Sequence, residues 1–224
     1  MNLLILLSDE HNKKVLGCGG NRLARTPILD GIASSGTNFS SAYCNNPICL
    51  PSRASFTIGD YASRHGYWDN AFPYGGEVPG FGHRLGEAGF PVVTVGKLHY
   101  KGDDPATGFP DQRIPLNAKD GIGDVFSCAR SFEQFRPQLG EHVRKARWGT
   151  SDYLRYDRGV ADEASRFLTE EAVKHDKPWL LKVGFVHPHF PLVAPEKFKD
   201  LFPLDAIPIP NQYSLAEQIG RAHV

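Results

Sequence analysis

Cysteine, proline and arginine stand close together in Cys49-Leu50-Pro51-Ser52-Arg53, the stretch of the sequence best suited to chemistry. Pro51 suits the first position of a helix, so the pattern predicts that Cys49 lies just before a helix N-terminus. Free backbone N–H groups and the helix dipole favour an anion there, and Arg53 would add a fixed positive charge. Together these features would stabilise a tetrahedral oxyanion. The alternative is that Cys49 is a small buried apolar residue, the usual fate of a free cysteine.

Acidic side chains follow the first of three apolar runs that each predict a core strand. This run covers residues 2–7 and leads to Asp9 and Glu10. A bounded run of this length is typical of a buried parallel strand, whose carboxyl end faces the crevice where open α/β sheets bind ligands. The two carboxylates are therefore candidate metal ligands. Acidic residues after a strand are also common as solvated loop residues or helix caps, and the pattern alone leaves both interpretations open.

Basic side chains follow the other two runs. Residues 91–95 are rich in β-branched side chains and lead to Lys97 and His99, while residues 179–186 lead to His189. A cation lowers the cost of charge that develops on oxygen, and an imidazole can move a proton near neutral pH. Lysines and histidines in loops are more often surface residues, and a His-Pro-His pair without a third ligand does not make a zinc site.

Helices are predicted between these runs. Residues 26–36 read as a capped helix with Thr26 at the N-cap, Gly36 at the end and an apolar face formed by Ile28, Leu29 and Ile32. A short strand is predicted at 37–43, a short helix at 83–89 and an amphipathic core-facing helix at 153–175. The stretch from 100 to 152 shows no clear period and is predicted to be a loop that contributes to substrate choice.

The composition sets limits on the class of protein. The chain has 224 residues, 41% of them hydrophobic, which is enough for one sizeable core. Lys and Arg number 25, as do Asp and Glu, so no charge excess predicts nucleic acid or an anionic membrane as a partner. The apolar run at 2–7 lacks the flanks of a signal peptide and is too short to span a bilayer. Four scattered cysteines form no disulfide framework, so we expect a cytoplasmic location.

Four ordered blocks of the chain resemble the sulfatase family: Ser8-Asp9-Glu10, Cys49 to Arg53 followed by an A-S-x-T-x-G pattern, Gly96 to His99, and residues 187–191, His-Pro-His-Phe-Pro. Their joint occurrence is far more specific than any one of them. The spacing of residues 26–43 is also similar to that family, and the sequence around Cys49 and residues 66–71 looks closest to choline-sulfatase-like members. The resemblance implies an α/β fold of the alkaline phosphatase and sulfatase type, with a mostly parallel sheet sandwiched by helices.

The resemblance also implies roles for individual residues. Cys49 would be oxidised to formylglycine by a formylglycine-generating enzyme, and a hydroxyl of the aldehyde hydrate would attack the sulfur of a small-molecule sulfate ester. Asp9, Glu10 and the modified Cys49 would bind calcium, although Glu10 departs from the commonest Asp or Gln of the family. Arg53 and Lys97 would offset charge on the ester oxygens.

Two histidines complete the set that the resemblance implies. His99 would hold or deprotonate the hydrate and help eject sulfate, and His189 would protonate the leaving alkoxide. His187 is expected to be architectural. The pattern does not specify the alcohol half of the substrate. It does not specify the oligomeric state either, so a homo-oligomer is compatible with it.

The end of the sequence lacks elements that the resemblance leads us to expect. Sulfatases are considerably longer, and nothing after His189 matches their later metal and sulfate ligands. Residues 219–224, Ile-Gly-Arg-Ala-His-Val, would be encoded by a common sequencing adaptor. We therefore expect residues 1–218 to be the N-terminal part of a catalytic domain and 219–224 to be a non-native tail. Two alternatives remain at this stage: a phosphoester or phosphonate-ester hydrolase on the same frame, and an inactive truncated fragment.

Overall fold

A computed structural model of the chain describes residues 1–125 and 144–207, without the side chain of residue 204. The chain divides into two compact units. The larger consists of Met1–His11 and Phe39–Val193, and the smaller of Asn12–Asn38 and the residues from Ala194 onward. The predicted tail at 219–224 lies outside the described residues. No helix within the described ranges is both long and apolar enough to cross a membrane.

A four-stranded parallel sheet forms the centre of the larger unit. Its strand order is β1-β5-β2-β3, where β1 is Leu3–Asp9, β2 is Val92–Lys97, β3 is Asp111–Leu116 and β5 is Leu180–Pro188. The three strands predicted from apolar runs are confirmed. Because neighbouring strands run in the same direction, the carboxyl ends of β1, β5 and β2 lie side by side at one edge of the sheet.

Burial separates the central strands from the edge strands. All six residues of β2 are buried, as the β-branched run predicts. The prediction that β1 is buried is only partly right, since Leu3, Leu4 and Leu6 are 42%, 42% and 54% exposed. The reason is that β1 is an edge strand of the sheet, paired with β5 on one side.

The strand β3 was not expected from the sequence, which predicts a loop throughout 100–152. Its sequence, Asp-Gln-Arg-Ile-Pro-Leu, has neither an apolar run nor clean alternation. Strand formation here depends on tertiary pairing with β2, which places Val93 opposite Asp111 and Val95 opposite Arg113. An edge strand also tolerates Pro115, which has no N–H to donate to the sheet.

Helices of the larger unit cover both faces of the sheet, and the first helix of the chain belongs to the smaller unit. The helices are α1 (Pro27–Ser35), α2 (Cys49–Ile58), α3 (Ala62–His65), α4 (Phe81–Glu87) and α5 (Asp152–Arg166), and α5 continues as a π-turn and a 3₁₀ turn, Phe167–Glu171 and Ala172–Lys174. Shorter 3₁₀ segments are Pro105–Thr107, Lys119–Gly121, Glu196–Leu201 and Leu204–Ala206, and the two-residue strands β4 (Arg147–Trp148) and β6 (Val193–Ala194) lie outside the four-stranded sheet.

Two hydrophobic cores lie on opposite faces of the sheet, because successive strand residues point to opposite sides. One contains Val92 and Leu180, packed with residues of α2 and of the loops that follow it. The other contains Val93 and Leu181, packed with the predicted stripe of α5 and its extension. In that stripe Val160, Ala164 and Phe167 are buried. This arrangement confirms the predicted α/β sheet with helices on both faces.

One local prediction in residues 26–43 needs correction. Helix α1 has the predicted bounds, with Thr26 before it and Gly36 after it. Its apolar face is exposed, however, since Ile28, Leu29 and Ile32 are 76%, 42% and 58% accessible. The strand predicted at 37–43 is wrong, because those residues form no regular element. An alternation of polar and apolar residues does not form a strand when no neighbouring strand is available to pair with it.

Candidate active site

Helix α2 presents Cys49 at its N-terminus. The helix begins at Cys49 itself, with Ile48 at the N-cap, so Pro51 is its third residue and not its first as predicted. Proline is tolerated there because the first four N–H groups of a helix have no intrahelical partner. The N–H of Leu50 donates to Asn70 Oδ1 at 2.9 Å. Asn70 therefore caps the helix from a distant loop, a role that the sequence pattern did not predict.

Asp9, Arg53 and Lys97 form a buried charge cluster below Cys49. Arg53 and Lys97 are 7% and 4% exposed. Arg53 Nη1 donates to the carbonyl oxygen of Lys97 at 2.8 Å, and Nη2 lies 3.3 Å from Asp9 Oδ2. Lys97 Nζ donates to the same Oδ2. Two cations thus share one carboxylate, which leaves a net positive charge where an anionic substrate group would bind.

The protonation states of Asp9 and Cys49 follow from this cluster. Burial raises the pKa of Asp9, but Arg53 and Lys97 together outweigh burial, so its pKa lies below the usual range. Burial and the Asp9 carboxylate raise the pKa of the Cys49 thiol, although Lys97 and Arg53 partly offset them. Since the thiolate is the nucleophilic form of cysteine, an unmodified Cys49 is a poor nucleophile in this environment.

His99 follows β2 in a strained backbone conformation. Its φ is 59°, in the left-handed region that non-glycine residues seldom adopt. Such strain is common at functional sites, where the surrounding structure maintains it. Burial, then Lys97 and Arg53, lower the pKa of His99 to about 3, with a partial offset from Asp9. Its buried Nδ1 has no partner among the described residues. A neutral imidazole with a free nitrogen is therefore available at this position.

His189 lies beside the ends of β1 and α2. Its Nδ1 is 2.8 Å from the carbonyl oxygen of Phe190. A carbonyl only accepts hydrogen bonds, so Nδ1 carries the proton and Nε2 points elsewhere, 3.6 Å from Glu10 Oε1. Ligand atoms of Asp9, Cys49 and His189 all lie within 4.8 Å of one another. Glu10, whose φ is 60°, lies beside this group and is not a member of it.

Asp157 fixes the end of β5 just before His189. Its carboxylate accepts from the N–H of Val186 at 2.8 Å, from the N–H of His187 at 2.9 Å and from His187 Nδ1 at 2.7 Å. This contact supports the expectation that His187 is architectural. The sequence did carry a signal for Asp157, because a carboxylate three residues before Val160 lies on the apolar stripe of α5 and needs a buried partner.

A cavity of about 450 Å³ opens beside this group. Both polar and apolar residues line it, among them Asp9, Glu10, Arg53, Tyr43 and Phe56. The sequence placed substrate choice in the stretch 100–152, part of which lies outside the described residues. The cavity adds the stretch from Ala42 to Asn45, to which the sequence analysis assigned no chemistry.

The fit of a calcium ion to these residues is partial. Calcium takes roughly six to eight oxygen ligands. Asp9 and Glu10 are the carboxylates at this position in the described part of the chain, and Asp9 already binds Arg53 and Lys97. The oxygen chemistry suits calcium, but a complete calcium site requires further oxygen ligands in addition to these two side chains.

Comparisons with known proteins agree with this geometry. The choline-sulfatase of Rhizobium meliloti is 31% identical over 208 residues, which cover 90% of this chain and 41% of that protein. The arylsulfatase of Clostridium perfringens is 27% identical over 233 residues, covering 93% of this chain and 47% of that protein. The chain thus spans less than half the length of these two relatives.

Solved structures share the fold. The phosphonate monoester hydrolase of Agrobacterium radiobacter superposes with a TM-score of 0.65 at 18% identity, over 93% of this chain and 45% of that one. A protein solved with its substrate D-glucosamine-2-N,6-O-disulfate gives a TM-score of 0.60 at 23% identity, over 84% of this chain and 34% of that one. The profile of the sulfatase family matches residues 1–213. With the site's four sequence blocks brought together in space, this match shows that the chain belongs to the sulfatase family.

Proposed function

We propose that this chain provides the nucleophile side of a sulfatase that hydrolyses a sulfate ester to an alcohol and inorganic sulfate. The observation that carries the proposal is the convergence of Asp9, Lys97 and His189, from the ends of three parallel strands, on Cys49 at the start of α2. Family membership supports sulfate ester hydrolysis. Because the chain spans less than half of its relatives, the activity is proposed for the full-length protein.

The nucleophile in this proposal is Cys49 after conversion to formylglycine. The C-x-P-S-R motif and the position of Cys49 at the start of α2, beside Asp9 and His189, support this. When present, the aldehyde hydrate would supply a nucleophilic oxygen, and a calcium ion held in part by Asp9 and Glu10 would supply positive charge to the ester oxygens.

The other residues of the site stabilise charge on the sulfate oxygens or take part in hydrogen bonding and proton transfer during the reaction. Arg53 and Lys97 are fixed by Asp9 and by each other, so they offset charge on the sulfate oxygens without having to reorganise. His99, whose buried Nδ1 has no partner among the described residues, would hold the nucleophile through a hydrogen bond. In its imidazolium form, His189 would donate the Nε2 proton to the leaving oxygen and return to the neutral ring, while the bond from Nδ1 to Phe190 fixes the ring.

A phosphonate monoesterase is the second candidate, and the fold shared with the Agrobacterium enzyme favours it only weakly, since 18% identity shows the fold alone. Both substrates present a tetrahedral monoanionic centre, and they differ in the atom attacked. We prefer the sulfate ester because the family match and the two relatives above are sulfatases.

The test is a parallel assay of the full-length protein, produced together with a formylglycine-generating enzyme. Nitrophenyl sulfate, nitrophenyl phosphate and a nitrophenyl phosphonate monoester are offered under one set of conditions. The proposal predicts that kcat/KM is highest for the sulfate, and that Cys49→Ala abolishes turnover of all three while Cys18→Ala, at an exposed cysteine that does not line the cavity, leaves it in place. Higher kcat/KM for the phosphonate would overturn the proposal in favour of the second candidate.

A further inference from the structure

We propose that, while Cys49 remains a thiol, Asp9, Cys49 and His189 form a binding site for a thiophilic divalent cation of the zinc class. This proposal concerns the unmodified chain, so it does not depend on whether the converted enzyme hydrolyses sulfate esters. The site occupies the position where the converted protein would bind calcium, but its donor atoms differ.

The first observation is the donor set. One thiol, one imidazole and one carboxylate present ligand atoms that all lie within 4.8 Å of one another. In a tetrahedral zinc site with bonds of about 2.0–2.3 Å, ligand atoms are roughly 3.5 Å apart. The three ligand atoms therefore need to approach one another by about 1 Å when the ion binds. Water would be the fourth ligand, because Glu10 Oε1, although 3.6 Å from His189 Nε2, is not a member of the group.

The second observation is the orientation of the histidine ring. Metal-binding histidines usually donate their other ring N–H to a carbonyl or carboxylate, which fixes the tautomer. His189 Nδ1 makes this bond to the carbonyl of Phe190 at 2.8 Å. The lone pair is then on Nε2, the nitrogen nearer Glu10. This is the ring state that a metal requires, and it is set without any metal present.

The third observation concerns which metal fits. Calcium takes oxygen ligands in large number, whereas sulfur and imidazole nitrogen favour zinc and similar ions. Zinc binding would replace the proton on Cys49 Sγ with a Zn–S bond and release that proton to solvent. Asp9 would bind through Oδ1, because Arg53 and Lys97 both contact Oδ2. These two cations repel a dication, so we expect weaker binding than in a structural zinc site.

The experiment uses the reduced, metal-free 224-residue chain with cobalt(II) as a spectroscopic substitute for zinc. The expected result is a thiolate-to-cobalt charge-transfer band that saturates at one cobalt per chain and is lost when zinc is added. Cys49→Ser should abolish the band, and Cys44→Ser should keep it, because Cys44 is exposed and is not part of the cluster. His189→Ala should weaken binding by more than about 10-fold, since even indirect partners of a metal ligand cost that much.

Alkylation of the unsubstituted chain gives a second readout that requires no variant. Zinc should slow the reaction of Cys49 with iodoacetamide, as followed by peptide mass, and a chelator should restore the rate; Cys18 and Cys44 in the same sample serve as internal controls. Absence of a charge-transfer band together with unchanged alkylation of Cys49 would overturn the proposal. A band that survives in Cys49→Ser would overturn it as well, because the sulfur would then come from another cysteine.

Discussion

Asp9 holds one negative charge between two buried cations, and this imbalance explains much of the site. Lys97 and Arg53 keep the carboxylate ionised, and the carboxylate keeps both cations in fixed positions close to Cys49. Breaking one member of a buried, charged group typically costs several kcal/mol, because it leaves another charge without a partner. The group is therefore rigid as well as positive, which suits the binding of an ester anion in a single orientation.

His189 gives the first prediction, for the full-length converted enzyme. General acid catalysis matters in proportion to how poor the leaving group is, and it contributes roughly 10²–10⁴-fold. His189→Ala should therefore lower kcat for an alkyl sulfate by about that factor and spare most of kcat for nitrophenyl sulfate, whose phenolate leaves without a proton. Steady-state kinetics on the two substrates measures the difference.

The matched control for this prediction is His83→Ala, which removes a histidine on α4, away from the strand ends. It should leave the ratio of the two rates unchanged. Equal losses on both substrates with His189→Ala would show that His189 binds sulfate or shapes the site. The leaving-group acid would then have to be another residue.

The resemblance to the sulfatase family, more than residue types and spacing alone, predicted the residues of this site. Cys49, Arg53, Lys97 and His189 were identified from four sequence blocks, and the structure brings them together as expected. Asp157 was missed although its position on the apolar stripe of α5 was a signal, and Asn70 was missed because it acts on a backbone N–H across 20 residues of sequence. Such contacts depend on how the elements pack, which short patterns do not specify.

At the scale of elements, α5 and β5 are joined by the Asp157 carboxylate. It accepts three hydrogen bonds from consecutive groups of Val186 and His187, two residues before His189. The hydroxyl of Ser8 on β1 also donates to the carbonyl of His187 at 2.8 Å. The end of β5 is thus fixed from two neighbouring elements, and this sets the position of the histidine that follows.

Asp157→Asn gives the second prediction. An amide has one oxygen acceptor and presents N–H donors where the structure needs an acceptor, so at least one charge-assisted hydrogen bond is lost. We expect the free energy of unfolding to fall by roughly 1.5–3 kcal/mol, the range for hydrogen bonds to charged groups. Urea unfolding of the chain measures it, with Asp162→Asn on the exposed face of the same helix as control. Similar small changes in both variants would show that the carboxylate is not required.

Elements of the fold that are specified by their own local sequence were predicted, and elements that depend on tertiary contacts were not. Strands β1, β2 and β5 were found because each is rich in apolar or β-branched residues, and α1 because proline and glycine mark its ends. Strand β3 was missed because pairing with β2 forms it, and residues 37–43 were wrongly assigned because alternation there has no partner strand. Local sequence propensity predicts strands poorly where tertiary contacts determine whether a strand forms.

At the scale of the whole molecule, a lysine is buried in one of the two cores. Lys182 on β5 is fully buried, and its Nζ donates to Tyr100 Oη at 2.7 Å. The same Nζ lies 4.9 Å and 5.0 Å from the ring centres of Tyr100 and Phe109. Burial, with a smaller contribution from Arg53, lowers the pKa of Lys182 well below its usual value of 10.5.

This burial predicts a pH-dependent gain in stability from Lys182→Met. The folded-state pKa is below the unfolded value, so between the two values the unfolded chain binds more protons and stability rises with pH. The advantage of the variant over the unsubstituted chain should therefore be largest at low pH. It should shrink by about 1.4 kcal/mol for each pH unit as pH approaches 10.5. Urea unfolding at several pH values measures this trend.

Lys174→Met is the control for this third prediction, because Lys174 is exposed. It should change stability by less than about 0.5 kcal/mol, without a trend in pH. A gain from Lys182→Met that stays constant across the pH range would contradict a neutral, buried lysine. It would show instead that the lysine is charged in the folded state and is stabilised by the surrounding rings.

The central claim is that Cys49 supplies the nucleophile once it has been converted to formylglycine, and one measurement tests it most directly. The full-length protein is produced with graded amounts of a formylglycine-generating enzyme, and each preparation is assayed for sulfate release and for the mass of the peptide that contains Cys49. The account predicts that activity rises in proportion to the converted fraction and extrapolates to zero when all of Cys49 is a thiol. Full activity in a preparation whose Cys49 is entirely unmodified would contradict it.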